Sequence, residues 1–205
     1  VIHYSHGGCP FPTPPYGINP PECKKFNENA EEAIFNDLQS GDYVVIYNYH
    51  LSHLSGKNSK DSRHNIFNKF NLIESDSSQK INLYLQGLSR LESKAKDRNI
   101  SIILIGSAYR NPDLIWRKEW YRPINFALRT LKKETINAKK LNNKLSEGIQ
   151  KMRLNNILFV NPLKVIDRNC GKDVESYVKC FRDENHIKDK PARQLITFIL
   201  KEILD

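Results

Sequence analysis

Tyr43-Val44-Val45-Ile46-Tyr47-Asn48 and Ile100-Ser101-Ile102-Ile103-Leu104-Ile105-Gly106 decide the fold. Each is a short apolar run closed by a polar residue or a glycine. The first reads as a strand buried on both faces of a parallel sheet, and the second as another buried strand. The segment between them holds a polar excursion, Leu51 to Ser78, and then a helical period over Gln79 to Arg98. Ile81, Leu83, Leu85, Leu88 and Leu91 supply the apolar side of that helix. A strand, a helix and a second strand of this kind make a parallel crossover unit.

The pattern continues outward in both directions. Towards the N-terminus, Asn27 to Leu38 has a helical spacing of Ala30, Ala33, Ile34 and Leu38, ended by Ser40-Gly41-Asp42. Val1 to Ser5 reads as a short strand. Phe11 to Pro21 reads as loop, because five of its eleven residues are proline. Towards the C-terminus, Asn111 to Arg122 is an aromatic loop with Trp116, Trp120 and Tyr121. Ile124 to Arg153 reads as a long lysine-rich helix and Asn156 to Val160 as a strand. Leu163 to Arg182 reads as loop or short helix. A last helix starts near Asp189, with Pro191 in its first turn. The order is strand, helix, four times over, which predicts an α/β fold with a parallel sheet and helices on both faces. In such folds the binding crevice lies at the carboxyl ends of the strands. Gly7-Gly8, Asn48, Gly106-Ser107 and the loop with Asp183 and His186 all fall at that end.

At 205 residues the chain suits one domain, with 39% hydrophobic and 27% charged residues. The net charge of +9 favours anionic partners without choosing among them. No nucleic-acid signature accompanies the lysines, and pairs such as Lys132-Lys133 and Lys139-Lys140 read as the wet face of a helix. No apolar run is long enough to span a membrane, and nothing at the N-terminus reads as a signal peptide. Val1 opens directly on a strand-like run, so a further portion is expected upstream.

Four cysteines allow three disulfide connectivities. Zinc is the competing reading, but neither local spacing is C-x-x-C and no histidine stands at a ligand-like distance from either pair. Asp183 and His186 stand three residues apart. A carboxylate so placed on a loop can accept a hydrogen bond from one imidazole nitrogen and leave the other free to take a proton. Read alone, such a pair is more often a solvated loop.

Together these residues resemble a known superfamily. Gly8-Cys9-Pro10 after a strand, Cys23, Val44 to Asn48, Ile102 to Gly106, Cys170, and Cys180-Phe181-Arg182-Asp183-x-x-His186 look like the SGNH hydrolases. They are most similar to the extracytoplasmic SGNH domain fused to acyltransferase-3 proteins, which O-acylate surface polysaccharides. The resemblance implies a flavodoxin-like three-layer sheet over residues 1–205. It pairs Cys9 with Cys23 and Cys170 with Cys180, which suits an oxidising compartment. It makes His186 the general base and Asp183 its orienting carboxylate. Gly8 (or Gly7) would give a backbone N–H to an oxyanion hole, and Asn48 a side-chain N–H. No cofactor and no metal are implied.

One departure bears on mechanism. The family's nucleophile is the serine of a Gly-Asp-Ser block after the first strand, and no Gly-Asp-Ser occurs here. The only Gly-Asp is Gly41-Asp42, before a strand and followed by Tyr43. Val1 to Gly8 matches the family's second strand, so the first strand and its serine are expected upstream of Val1. Ser5 is a poor substitute, since it comes from the wrong strand to reach the base. Ser107 at a strand end reads as a turn residue. His50 and His53 could share a helical face and bind metal, but a solvated or hydrogen-bonded role suits them better. Trp116, Trp120 and Tyr121 either stack on a sugar or cap the core.

Two functions are therefore expected to compete. The first is acyl transfer or ester hydrolysis on the hydroxyls of an extracytoplasmic polysaccharide. An upstream membrane acyltransferase domain would then be the partner, with a periplasmic or extracytoplasmic location. The second is a non-catalytic glycan-binding module that lacks the nucleophile. A nucleic-acid partner is not expected.

Overall fold

The computed structural model describes residues 3, 9–12, 21–48, 54, 77–108, 124–170, 180 and 189–204. In order, these form α1 (Pro21–Asp37), β1 (Tyr43–Tyr47), α2 (Ser77–Lys96), β2 (Ser101–Ile105), α3 (Ile124–Lys151), β3 (Ile157–Val160), α4 (Leu163–Cys170) and α5 (Asp189–Leu204). The strands stand in the order β1-β2-β3, and β1 pairs with β2 in parallel, Tyr43 opposite Ser101 and Tyr47 opposite Ile105. The chain is thus an α/β fold with helices between parallel strands. Of the strand expected over Val1 to Ser5 only His3 is described, exposed and outside any strand; the other four residues lie outside the described residues.

The chain gathers into two compact units, Val1–Gly106 with Asn143–Phe159, and Ser107–Asn142 with Val160–Asp205. In the first, β2 is the central strand. Ile102, Ile103, Leu104 and Ile105 are all buried, as a strand covered on both faces requires. Its register is set by two turns that hydrogen-bond to each other. Asn99 ends α2 in the left-handed conformation (φ 55°) and Gly41 does the same before β1 (φ 91°). Gly41 N–H donates to Asn99 O at 2.8 Å, and Ser101 N–H donates to Asp42 O at 3.0 Å. On the other side, Ile102 N–H donates to Asn156 O at 3.0 Å, which brings β3 alongside β2.

β1 differs from the expectation of burial on both faces. Val44 and Ile46 are covered, but Tyr43, Val45 and Tyr47 are 48%, 55% and 52% exposed. The physical reason is position. Among the described strands β1 stands at the edge of the sheet, and one of its faces has no described layer over it.

α2 buries Ile81, Tyr84, Leu85, Leu88, Leu91 and Ala95, a stripe at three- and four-residue spacing. Leu83, expected on that stripe, is only half-buried. α1 begins six residues before the expected start. Proline is tolerated at a first helical position because its missing N–H would have no intrahelical partner there. The buried side of α1 runs through Cys23, Asn27 and Ala30; of the expected apolar positions only Ala30 is buried, while Ala33, Ile34 and Leu38 are half-buried. α1 meets α2 through an ion pair of Glu31 with Lys94 and through the Arg98 guanidinium, 5.3 Å from the centre of the Phe35 ring. α2 and the end of α3 approach closely at Gly148, where an added Cβ would lie 2.2 Å from Leu85 Cδ1.

In the second unit α4 packs on α5, with Leu163, Val165, Ile166 and Ile199 buried. Ile196 and Leu200 on α5 remain exposed. No described helix is long and apolar enough to cross a membrane.

Candidate active site

Asn48 follows the last residue of β1, at the carboxyl end of that strand. Its surroundings are built by a disulfide and a tyrosine. Cys9 and Cys23 are bonded, with their Cα atoms 5.3 Å apart and both residues buried. This holds the chain at Pro10-Phe11 against the start of α1. Asn27, one turn further along α1, donates its side-chain N–H to Pro10 O at 2.9 Å. The next carbonyl, that of Phe11 before a cis peptide bond to Pro12, faces the end of β1. It accepts from Asn48 Nδ2 and from Tyr84 Oη, the latter at 3.1 Å. Tyr84 Oη in turn accepts from Asn48 Nδ2 at 3.0 Å.

The amide nitrogen, the phenol oxygen and the carbonyl oxygen thus close a triangle. Asn48 Nδ2 donates to both oxygens. Burial pushes the Tyr84 phenol above its ordinary pKa, an effect larger than the opposing one of the Asn48 hydrogen bond, so the group stays a neutral hydroxyl. Lys80, one turn before Tyr84 on α2, is buried as well, and that burial lowers its pKa from the ordinary lysine value to about 8.

A second polar knot lies after β2 and β3. Ser107 N–H donates to Asn142 Oδ1 at 2.7 Å, and Asn142 Nδ2 donates to Ser107 O at 2.9 Å. The carboxamide of α3 thus pairs with both backbone groups of one residue, as a neighbouring strand would. Asn142 Nδ2 also donates to Asn161 Oδ1 at 3.0 Å, and the same oxygen accepts from Leu163 N–H at 3.1 Å. Asn161 is therefore the N-cap of α4, with Pro162 in the first turn. Ser107 is buried and its hydroxyl donates to Ala108 O at 3.0 Å, so it is engaged with its own chain. Replacing Asn142 by alanine leaves the buried Ser107 N–H and C=O without their partner. The expected cost is at least about 2 kcal/mol, seen in urea unfolding as a lower midpoint with an unchanged slope.

Among the residues expected at the site, Asn48, Cys9 and Cys23 are described and stand together in the first unit. Cys180 is buried in a disulfide, while the side chain of Cys170 lies outside the described residues. Gly7, Gly8, Asp183 and His186 also lie outside them, as do Ser5, His50, His53, Trp116, Trp120 and Tyr121. Sequence reasoning missed Tyr84 and Asn142. Each is a polar group within the apolar stripe of its helix, a position that marks burial but not the partner it meets.

No curated protein and no solved structure matches the chain. A family model does, and it spans residues 1–201, nearly the whole sequence. It is described as the SGNH domain fused to AT3 domains. The parallel α/β sheet agrees with that match. The chain belongs to the family of SGNH domains that occur fused to AT3 domains, a family of hydrolase and acyltransferase type.

Proposed function

We propose that this chain is the SGNH portion of an enzyme that transfers or removes acyl groups on the hydroxyls of an extracytoplasmic polysaccharide. The observation that carries this reading is the family match over residues 1–201. His186 is the general base and Asp183 the carboxylate that fixes its tautomer. Asn48 and the Gly8 backbone N–H are the oxyanion donors. The nucleophile is a serine contributed from upstream of Val1, in a Gly-Asp-Ser block. One feature supports that placement: residues 1–205 contain no such block.

In the reaction the serine oxygen forms a bond to the acyl carbon while His186 takes its proton. The carbonyl oxygen gains the negative charge, and the donors hold it, each contributing on the order of 3 kcal/mol. Collapse breaks the bond to the leaving oxygen, which receives the proton from His186. A glycan hydroxyl or water then repeats the steps on the acyl-serine. A hydroxyl gives transfer and water gives hydrolysis. A membrane-embedded AT3 domain is the natural source of the acyl donor, which suits the domain fusion of the family. The Cys9–Cys23 disulfide suits an oxidising, extracytoplasmic location.

The missing Gly-Asp-Ser favours one rival, a glycan-binding module without catalysis. The two separate when the full-length protein is given p-nitrophenyl acetate and an O-acetylated polysaccharide. Release or transfer of acetate above the buffer rate supports the enzyme. Retardation by the polysaccharide in affinity electrophoresis, without turnover of either substrate, supports the module.

A further inference from the structure

We propose that the outer face of α5 seats on an anionic bilayer surface, with Ile196 and Leu200 entering the headgroup layer and the basic side chains beside them meeting acidic headgroups. This goes beyond acyl transfer and rests on the reading above for one thing only, the place of the AT3 domain in the membrane.

The two sides of α5 differ. Pro191 and Ile199 are buried and Leu195 and Phe198 half-buried, as suits a helix packed on α4. Ile196 and Leu200, one turn apart, are 55% and 51% exposed. A single exposed aliphatic needs no explanation, but two stacked on one helix face form a patch. Beside them Lys190, Arg193, Thr197 and Lys201 are exposed, at three- and four-residue spacing. On α4, Lys164 and Arg168 are exposed as well, again one turn apart. The acidic side chains described on these two helices are Asp189, at the start of α5, and Asp167, which pairs with Lys139 of α3 at 3.5 Å. The field around the aliphatic pair is therefore positive.

An apolar strip flanked by cations suits a helix that lies in a membrane interface. Apolar burial supplies one part of the binding there, and attraction to acidic lipid the other. An acidic glycan would answer the cations but leave Ile196 and Leu200 in water. The SGNH domains of this family occur fused to AT3 domains. With the AT3 domain in the membrane, a bilayer surface lies within reach. No described helix is long and apolar enough to cross it, so the contact is peripheral.

The test is co-sedimentation of the 205-residue chain with vesicles of equal parts phosphatidylglycerol and phosphatidylcholine, and with phosphatidylcholine alone. Binding is expected to the first and not the second, and it should weaken as salt rises. Lys190→Glu with Arg193→Glu should weaken it at least about 25-fold, about fivefold for each cation lost near the surface. Ile196→Ser with Leu200→Ser should weaken it roughly tenfold with no change of charge. Lys24→Glu with Lys25→Glu, at exposed positions of α1, alters the net charge as much as the first pair does. It should change binding by no more than about twofold, being away from the contact. All these positions are exposed, and an unchanged melting temperature separates lost binding from lost folding. No binding to the anionic vesicles overturns the inference. So does an equal loss in the α1 pair, which would make the attraction one of net charge, and so does full binding by the serine pair. Self-association in sedimentation velocity, abolished in the serine pair and without vesicle binding, assigns the face to a second copy and overturns it too. None of these measurements involves ester turnover, so their failure leaves the acyl-transfer reading standing.

Discussion

Replacing His186 by alanine is expected to lower ester turnover of the full-length protein by roughly 10⁴-fold or more, with the melting temperature nearly unchanged. The size follows from the role. A serine hydroxyl is a weak nucleophile until a base takes its proton, and the leaving oxygen is poor until an acid returns one. In the proposed mechanism His186 does both, so its loss removes both halves of the proton traffic. Oxyanion donors and substrate binding remain, so the residual rate should still exceed that in buffer. Asp183→Asn should fall in the same direction, because an amide in place of the carboxylate favours the wrong imidazole tautomer. A His186→Ala protein that keeps more than about a tenth of its turnover would remove His186 from the base position.

The largest effect on stability is expected from the Cys9–Cys23 bridge. The cysteines are 14 residues apart in sequence, and closing a loop of about that length stabilises a fold by about 3 kcal/mol. The paired substitution Cys9→Ser with Cys23→Ser should therefore lower the melting temperature by roughly 6–12 °C. It should also lower turnover below the melting range, for a reason the stability figure does not contain. The bridge holds Pro10-Phe11, and the Phe11 carbonyl holds both Asn48 and Tyr84. Freeing that segment releases the asparagine. A variant with the lower melting temperature but full turnover at 20 °C would mean that the bridge supports the fold and not the site.

How much of this could be read from the residues differed by element. β1, β2, β3, α2 and α3 were legible to within about two residues. Uninterrupted apolar runs such as Ile102 to Ile105, and long helical stripes such as Ile81 to Leu91, have few other solutions in a soluble chain. α1 was legible only from Asn27 onward, because Pro20-Pro21 reads as loop and its buried face is Cys23, Asn27 and Ala30. The burial of one face of β1 alone was not legible, since Tyr43-Val44-Val45-Ile46-Tyr47 is apolar at every position. A pattern without alternation does not say which side is covered. At the site, Asn48 was found through the family resemblance, not through any local preference. Tyr84 was hidden because a tyrosine in a helical stripe passes for core. Asn142 was hidden because its partners are backbone groups of Ser107, which no side-chain pattern records. The cradle around Asn48 joins residues 9 to 11, 23, 48 and 84, and only packing brings such distant positions to one place.

The most direct test of the central claim is to treat the full-length protein with a fluorophosphonate and locate the adduct by mass spectrometry. These reagents phosphonylate a serine that a neighbouring base has activated. The account predicts one adduct, on the serine of a Gly-Asp-Ser block upstream of Val1, lost when His186 is replaced by alanine. No adduct, or an adduct on a serine within residues 1–205, would contradict it.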